Sequence, residues 1–259
     1  MTLTAALLAA GCLAILGHAA GWLTRDGAIA AAAVGGVILI STGLTGIALL
    51  ALFFLSGSIL TYAGHRGRSV SDASPTHGRT WRQVIANGGW AAVGALLVSA
   101  EPTQGWPILV GALAAAQADT WGTEIGGRSP TPPRLITTGQ PVPAGTSGGV
   151  TLLGTFAGVV GAGLMGGVAW ILNVPGSMAL AAVVGGVLGT LADSLLGATL
   201  QGMYHCDACD VKTERRSHQC GDAARLVHGW RWMDNDVVNL LATGVGAGST
   251  LLVALAAFS

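Results

Sequence analysis

The chain has 259 residues, 51% of them apolar and 9% charged, and its 12 basic and 12 acidic side chains cancel. An ordinary soluble domain carries about 25% charged residues, so this composition excludes one. The 41 glycines follow no three-residue period, which excludes collagen and leaves close helix–helix approach as their use.

Apolar runs long enough to cross a bilayer occur in chain order at 3–24, 27–44, 45–64, 83–100, 106–126, 148–172, 177–203 and 236–258. Leu8-Ala9-Ala10-Gly11-Cys12 faintly resembles a lipoprotein cleavage site, but the first run lacks a basic leader, so a retained helix is expected. Eight spans put alternate loops on opposite sides. The loops near 41–45, 101–105 and 173–176 contain no Lys or Arg. The other loops hold Arg25; Arg66, Arg68, Arg79 and Arg82; Arg128 and Arg134; and Lys212, Arg215, Arg216, Arg225 and Arg231. By the positive-inside rule the basic side is cytoplasmic and both termini lie outside. The expected fold is an all-α polytopic integral membrane bundle of about eight transmembrane helices, some short or broken, in the cell inner membrane. Residues 1–259 form a single membrane domain, with a cytoplasmic Cys/His-rich insert at 204–232 and no nucleic-acid partner.

The polar groups of these runs fall on particular faces. Gly111, Ala115, Asp119, Thr123 and Gly127 recur every four residues, as do Gly185, Gly189, Asp193 and Gly197, and Asn235, Asn239, Thr243 and Ala247. Small residues at that spacing mark helix contacts, so Asp119, Asp193 and Asn239 are expected to point into the bundle. Glu124 diverges from Asp119 on a regular helix, and Gly122, Gly126 and Gly127 suggest that the backbone unwinds there. Acids within membrane helices are costly unless they meet a cation, a partner or water. Asp119, Glu124, Asp193 and Asp236, with Asn235 and Asn239, resemble an oxygen shell for a hard cation such as Mg²⁺. The bland alternative is mutual hydrogen bonding, or pairing with Arg82 or Arg128. Across a Pro-rich loop, Gly145, Thr146, Ser147, Gly148 and Gly149 can offer backbone N–H groups to phosphate. The two features together point to a magnesium-and-phosphate site on the cytoplasmic side.

The insert carries a separate signal. Cys206, Cys209, His218 and Cys220 lie within 15 residues and resemble a tetrahedral structural zinc site, the alternative being redox-active or unliganded thiols. A reducing cytoplasm disfavours a disulfide. His205 is expected to stand outside the set, and Cys12 is expected to be membrane filler.

Several motifs then match a known pattern. Ala118-Asp119-Thr120, Thr123-Glu124-Ile125-Gly126, Ile136-Thr137-Thr138, Gly145-Thr146 and Gly148-Gly149-Val150 resemble the signature of one integral membrane family. That family, domain of unknown function family 92, contains the plant phytyl-phosphate kinases and vertebrate transmembrane protein 19. Arg82-Gln83-Val84, Ala86-Asn87-Gly88, Asp193-Ser194-Leu195-Leu196-Gly197-Ala198 and Asn235-Asp236 with Asn239 resemble its other motifs, so the likeness covers about residues 60–245. The chain departs from the pattern at Trp121-Gly122, where the family often has Ser, and at Gln140, where it often has Lys.

The resemblance implies a CTP-type, Mg²⁺-dependent kinase that converts a prenyl monophosphate, phytyl- or geranylgeranyl-like, to the diphosphate. It assigns catalysis to Asp119, Glu124 and Asp193, and Mg²⁺ to these with Asp236. Nucleotide or phosphate binding falls to Arg82, Asn87, Thr137, Thr138, Gly145, Thr146, Gly148, Gly149, Ser194, Asn235 and Asn239. Two other classes use a similar list of parts. A cytidylyltransferase would condense CTP with a lipid phosphate and release pyrophosphate. An ion-coupled transporter would place polar groups at the midplane and outer half, where this chain has almost none.

Overall fold

The computed structural model describes residues 3–65 and 78–258. Arg66 and Arg68 lie outside the described residues. Among those described, the order is α1 (Leu3–Ala19), α2 (Arg25–His65), α3 (Trp81–Val98), α4 (Pro102–Gly126), β1 (Arg134–Leu135), β2 (Gly149–Val150), α5 (Leu152–Ile171) and α6 (Gly176–Thr199). Then follow β3 (Met203–Cys206), β4 (Val211–Thr213), β5 (Arg225–His228) and α7 (Asn235–Phe258).

α2 is one element by hydrogen bonding but two by direction. At Gly43 the backbone takes φ 63° and ψ −145°, which glycine alone adopts freely, and the chain folds back on itself. Gly35 consequently approaches Ile47 and Leu50, and Trp22, just before α2, meets Phe54 with ring centroids 6.0 Å apart. A straight helix would separate Gly35 from Leu50 by about 22 Å. The break falls within the expected 41–45 loop.

α4 is the hub. Leu109, Val110, Ala112, Leu113 and Ala114 have no exposure, and the helix packs against α2, α3, α5, α6 and α7. It runs unbroken to Gly126, so the expected unwinding at Gly122 and Gly126 does not occur. Those glycines serve α5 instead: a Cβ on Gly122 would sit 3.3 Å from the Gly154 carbonyl, and one on Gly126 would sit 2.9 Å from Gly154 Cα. The inward stripes pack as their spacing implies. Thr243 is buried and donates to the Ala86 carbonyl of α3 at 2.8 Å, while a Cβ on Gly189 would meet Ala115 at 2.5 Å.

Among the described residues, four helical stretches are long and apolar enough to cross a membrane, within α2, α5, α6 and α7. Their outward residues, Leu44, Leu152, Phe156, Leu180 and Leu252 among them, are exposed apolar side chains of the kind a lipid-facing surface presents. The all-helical expectation holds for this body and not for its loops. α5 starts at Leu152 rather than 148 because Gly149 and Val150 pair with Arg134 and Leu135. α6 stops at Thr199, and β4-β3-β5 form an antiparallel sheet in the insert.

Candidate functional site

Asp119 on α4 and Asp193 on α6 lie near enough to one another for their charges to interact. Thr190, one turn before Asp193, brings its hydroxyl near the Asp119 carboxylate. Both acids are partly buried, yet Asp193 Oδ2 is wholly enclosed and has no hydrogen-bond partner. Two carboxylates held together, one with an orphaned oxygen, are costly without a cation between them. Their donor chemistry, all oxygen and anionic, fits a hard divalent ion.

The loop between α4 and β2 comes to the same place. It is a folded ribbon: the Leu135 amide donates to Gln140 at 2.9 Å, Ile136 to Gly148 at 2.9 Å and Gly149 to Thr146 at 2.9 Å. Gly148 has φ 76° and lies so close to α6 that a Cβ would fall 2.7 Å from the Ala198 nitrogen. A Cβ on Gly197 would in turn be 3.1 Å from the Gly148 amide nitrogen. Gly197 lies four residues, about 6 Å along the axis, from Asp193 on the same face. The Gly145–Gly149 segment is thereby held beside the carboxylate pair. Thr137 and Thr138 are exposed on the turn that follows Ile136, next to Gly148.

The remaining expected residues have other partners. Glu124 lies about 140° around α4 from Asp119. It accepts from Thr61 Oγ1 at 2.8 Å, and its charge acts on Arg79, whose guanidinium sits over the rings of Phe53 and Phe54 at 5.3 and 5.1 Å. Asp236 lies 3.4 Å from Arg82, which also holds Asp234 at 2.6 Å. Arginine pairing, the bland alternative, therefore describes Asp236, while Arg128 donates to the Leu60 carbonyl at 3.3 Å. Asn87 Nδ2 donates to Gln83 of its own helix at 3.0 Å. Ser194 is partly buried beside Asp193, and Asn239 is partly buried on α7. Asn235 is exposed at the start of α7, where Asp234 Oδ1 accepts from the Val237 amide at 3.1 Å.

In the insert, the ligand atoms of Cys206, Cys209, His218 and Cys220 all lie within 4.8 Å of one another. His205 stands apart, with its ring nitrogens 3.0 Å from Asp207 and 3.1 Å from Asp210. The His205 hydrogen bond holds the Asp207 carboxyl below its ordinary value.

Sequence reasoning missed four residues here. Thr190 lies one turn before Asp193 and was within reach of the same spacing argument. Arg79 reads as one of several loop arginines, and Thr61 as filler in an apolar run. Glu214 accepts a short hydrogen bond from Ser147 Oγ, and its charge reaches Asp193. No local pattern announces a contact across 67 residues.

Comparison with known proteins agrees with this architecture. The model of the integral membrane protein family DUF92 matches residues 8–247. An uncharacterized membrane protein of Methanocaldococcus jannaschii is 34% identical over 181 residues, covering 69% of this chain and 75% of the relative. Protein PGR of Arabidopsis thaliana is 31% identical over 227 residues, covering 75% of this chain and 76% of the relative. An uncharacterized membrane protein of Synechocystis is 29% identical over 228 residues, covering 83% of this chain and 76% of the relative. No solved structure matches. A family match over nearly the whole chain, on a bundle of apolar helices, makes this protein a member of the DUF92 family of integral membrane proteins.

Proposed function

We propose that the protein is a kinase that transfers the γ-phosphoryl group of a CTP-type nucleotide to a prenyl monophosphate at the cytoplasmic membrane face. The single observation that carries this reading is the enclosed, unpartnered Asp193 Oδ2, on a carboxylate within charge range of Asp119 and beside the Gly145–Gly149 loop. In the reaction an oxygen of the lipid phosphate attacks the γ-phosphorus. The bond to the β–γ bridging oxygen breaks, and nucleoside diphosphate leaves. Such a transfer needs positioning and charge neutralisation more than covalent help. Asp119 and Asp193 are the residues that would hold Mg²⁺, which supplies neutralisation of phosphate oxygens when bound. The Thr146 and Gly149 amides are spent inside the loop. Phosphate contacts therefore fall to the Ser147–Gly148 edge and to the exposed Thr137–Thr138 turn. The acceptor phosphate is already largely ionised near neutral pH, so no strong general base is required. Prenyl chains fit a site whose helix α6 presents Leu188, Leu191 and Leu195 outward.

Incubating the purified protein in detergent with Mg²⁺, a prenyl monophosphate and CTP labelled at either the α or the γ phosphate tests the reading. Transfer of the γ label alone to lipid, with CDP released, is the expected result. An α-labelled lipid with pyrophosphate would establish the cytidylyltransferase instead. Absence of any labelled lipid across phytyl, geranylgeranyl and longer acceptors would end both.

In the same reading the chain crosses the inner membrane eight times with both termini outside, counting the two arms of α2 separately. Support comes from the basic residues, which gather on the side of Arg79, Arg128 and the insert. A phosphatase reporter that is active only outside the cytoplasm should work when fused after Asn173 and be silent after Ser129. The reverse pattern would overturn the orientation.

A further inference from the structure

We propose that Cys206, Cys209, His218 and Cys220 bind one zinc ion, and that the insert so folded holds Glu214 on Ser147 at the rim of the Asp119–Asp193 pair. Cys206 Sγ and Cys220 Sγ are 3.6 Å apart, too far for a disulfide, and all the cysteines are free. His218 Nδ1 is 3.3 Å from Cys220 Sγ. Around zinc, with Zn–S about 2.3 Å and Zn–N about 2.0 Å, tetrahedral geometry requires S···S of about 3.8 Å and S···N of about 3.5 Å. Four ligand atoms within 4.8 Å of one another therefore outline a coordination shell with only slight adjustment.

The chain around the ligands is built in the same sense. Cys206 closes β3, and Cys209 lies on the turn that follows it. Asp210, the next residue, has φ 54° and turns the chain into β4, while Gly221 turns the second arm with φ 95°. Soft thiolates and an imidazole select zinc over the hard cation suited to the carboxylate pair. Both ring nitrogens of His205 face carboxylates, so it is not a competing ligand.

The shell lies at one end of a sheet too small to stand alone. β3, β4 and β5 contain four, three and four residues, and much of β4 and β5 is exposed. Without a core, such a unit needs a staple. The ligands tie the β3–β4 turn to the arm that carries His218 and Cys220. Glu214 follows β4 directly, and its carboxylate takes the Ser147 hydroxyl while its charge reaches Asp193. The base of the insert is fixed to the membrane body, with Gly202 donating to Met233 at 2.8 Å and Trp230 to Leu200 at 2.9 Å. Metal binding thus sets the position of a positioning residue at the phosphate loop. Only this last step rests on the function proposed above.

The test is read without substrate, so its failure is distinct from a failure of that function. Elemental analysis of the full-length protein purified in detergent is expected to find about one zinc per chain. Cys209→Ser and His218→Ala proteins should lose most of it, and His205→Ala should keep it. Hydrogen exchange should then be several-fold faster at residues 145–149 in the Cys209→Ser protein and in Glu214→Gln, with α4 and α6 unchanged. Substoichiometric zinc in the unaltered protein, or stoichiometric iron, would overturn the metal assignment. Loss of zinc with unchanged exchange at 145–149 would overturn the coupling to Glu214. Neither measurement requires turnover at the phosphate loop.

Discussion

Asp193→Asn is expected to lower kcat for phosphoryl transfer by about 10²–10³-fold, the scale of removing one charge-stabilising group from a reacting centre. The same change is expected to leave thermal stability in detergent equal or raised by a few degrees. The reason is the environment of this carboxylate. Its Oδ2 is enclosed without a partner and it lies within charge range of Asp119, so the folded protein bears an unfavourable charge in the absence of a cation. Asparagine keeps the shape and removes that charge. A merely structural carboxylate would behave oppositely, since losing a satisfied buried group destabilises the fold. Asp119→Asn should show the same split, and the double variant should be scarcely worse than either, as expected of groups that act together. Turnover within twofold of the unaltered protein for Asp193→Asn, measured with γ-labelled nucleotide, would remove the pair from the site.

Gly185→Ala should destabilise the bundle by about 3 kcal/mol, near the upper end for overpacking. A Cβ at Gly185 meets Thr250 Oγ1 and lies 2.5 Å from the Gly246 carbonyl oxygen. Gly111 of α4 faces the same point, since its Cβ would also meet Thr250 and lie 2.7 Å from that oxygen. Three helices therefore converge where no methyl group fits. Trimming Thr250 to Ala is not expected to rescue the variant, because the obstructing oxygen is backbone. Gly248→Ala supplies the contrast from the same α7 helix: nothing lies within 4 Å of its Cβ position. Alanine's higher helix propensity should make that variant neutral or stabilised by about 0.5–1 kcal/mol. Denaturation midpoints in matched micelles decide the matter. Equal midpoints for the two alanine variants would contradict the close three-helix approach.

Both effects concern positions that the sequence marks well and a geometry that it marks poorly. The four-residue spacing that joins Gly185, Gly189, Asp193 and Gly197 is a local property of one helix, so it identifies an inward face without its neighbours. It correctly turned Asp119 and Asp193 inward. It could not reveal that Asp119 meets α6 whereas Glu124 turns to Thr61 and Arg79 on the other flank. The glycines at 122 and 126 show the same ambiguity. Glycine loosens a backbone or admits a neighbouring helix, and here Gly154 fills the space, so α4 stays helical.

From sequence alone came the membrane-embedded helical class, the break near Gly43, the inward stripes and the clustering of three cysteines with His218. Each follows from composition or from spacing along one element, where the governing forces act between near neighbours. Tertiary structure alone decided that two of the four expected acids come within charge range of each other while Asp236 pairs with Arg82 and Glu124 accepts from Thr61. It also decided that the loops fold into short strands and that Glu214 arrives beside Ser147 from a distant insert. Those outcomes depend on how helices rotate and approach when small residues pack, and on hydrogen bonds closed across long stretches of chain, which no local periodicity encodes.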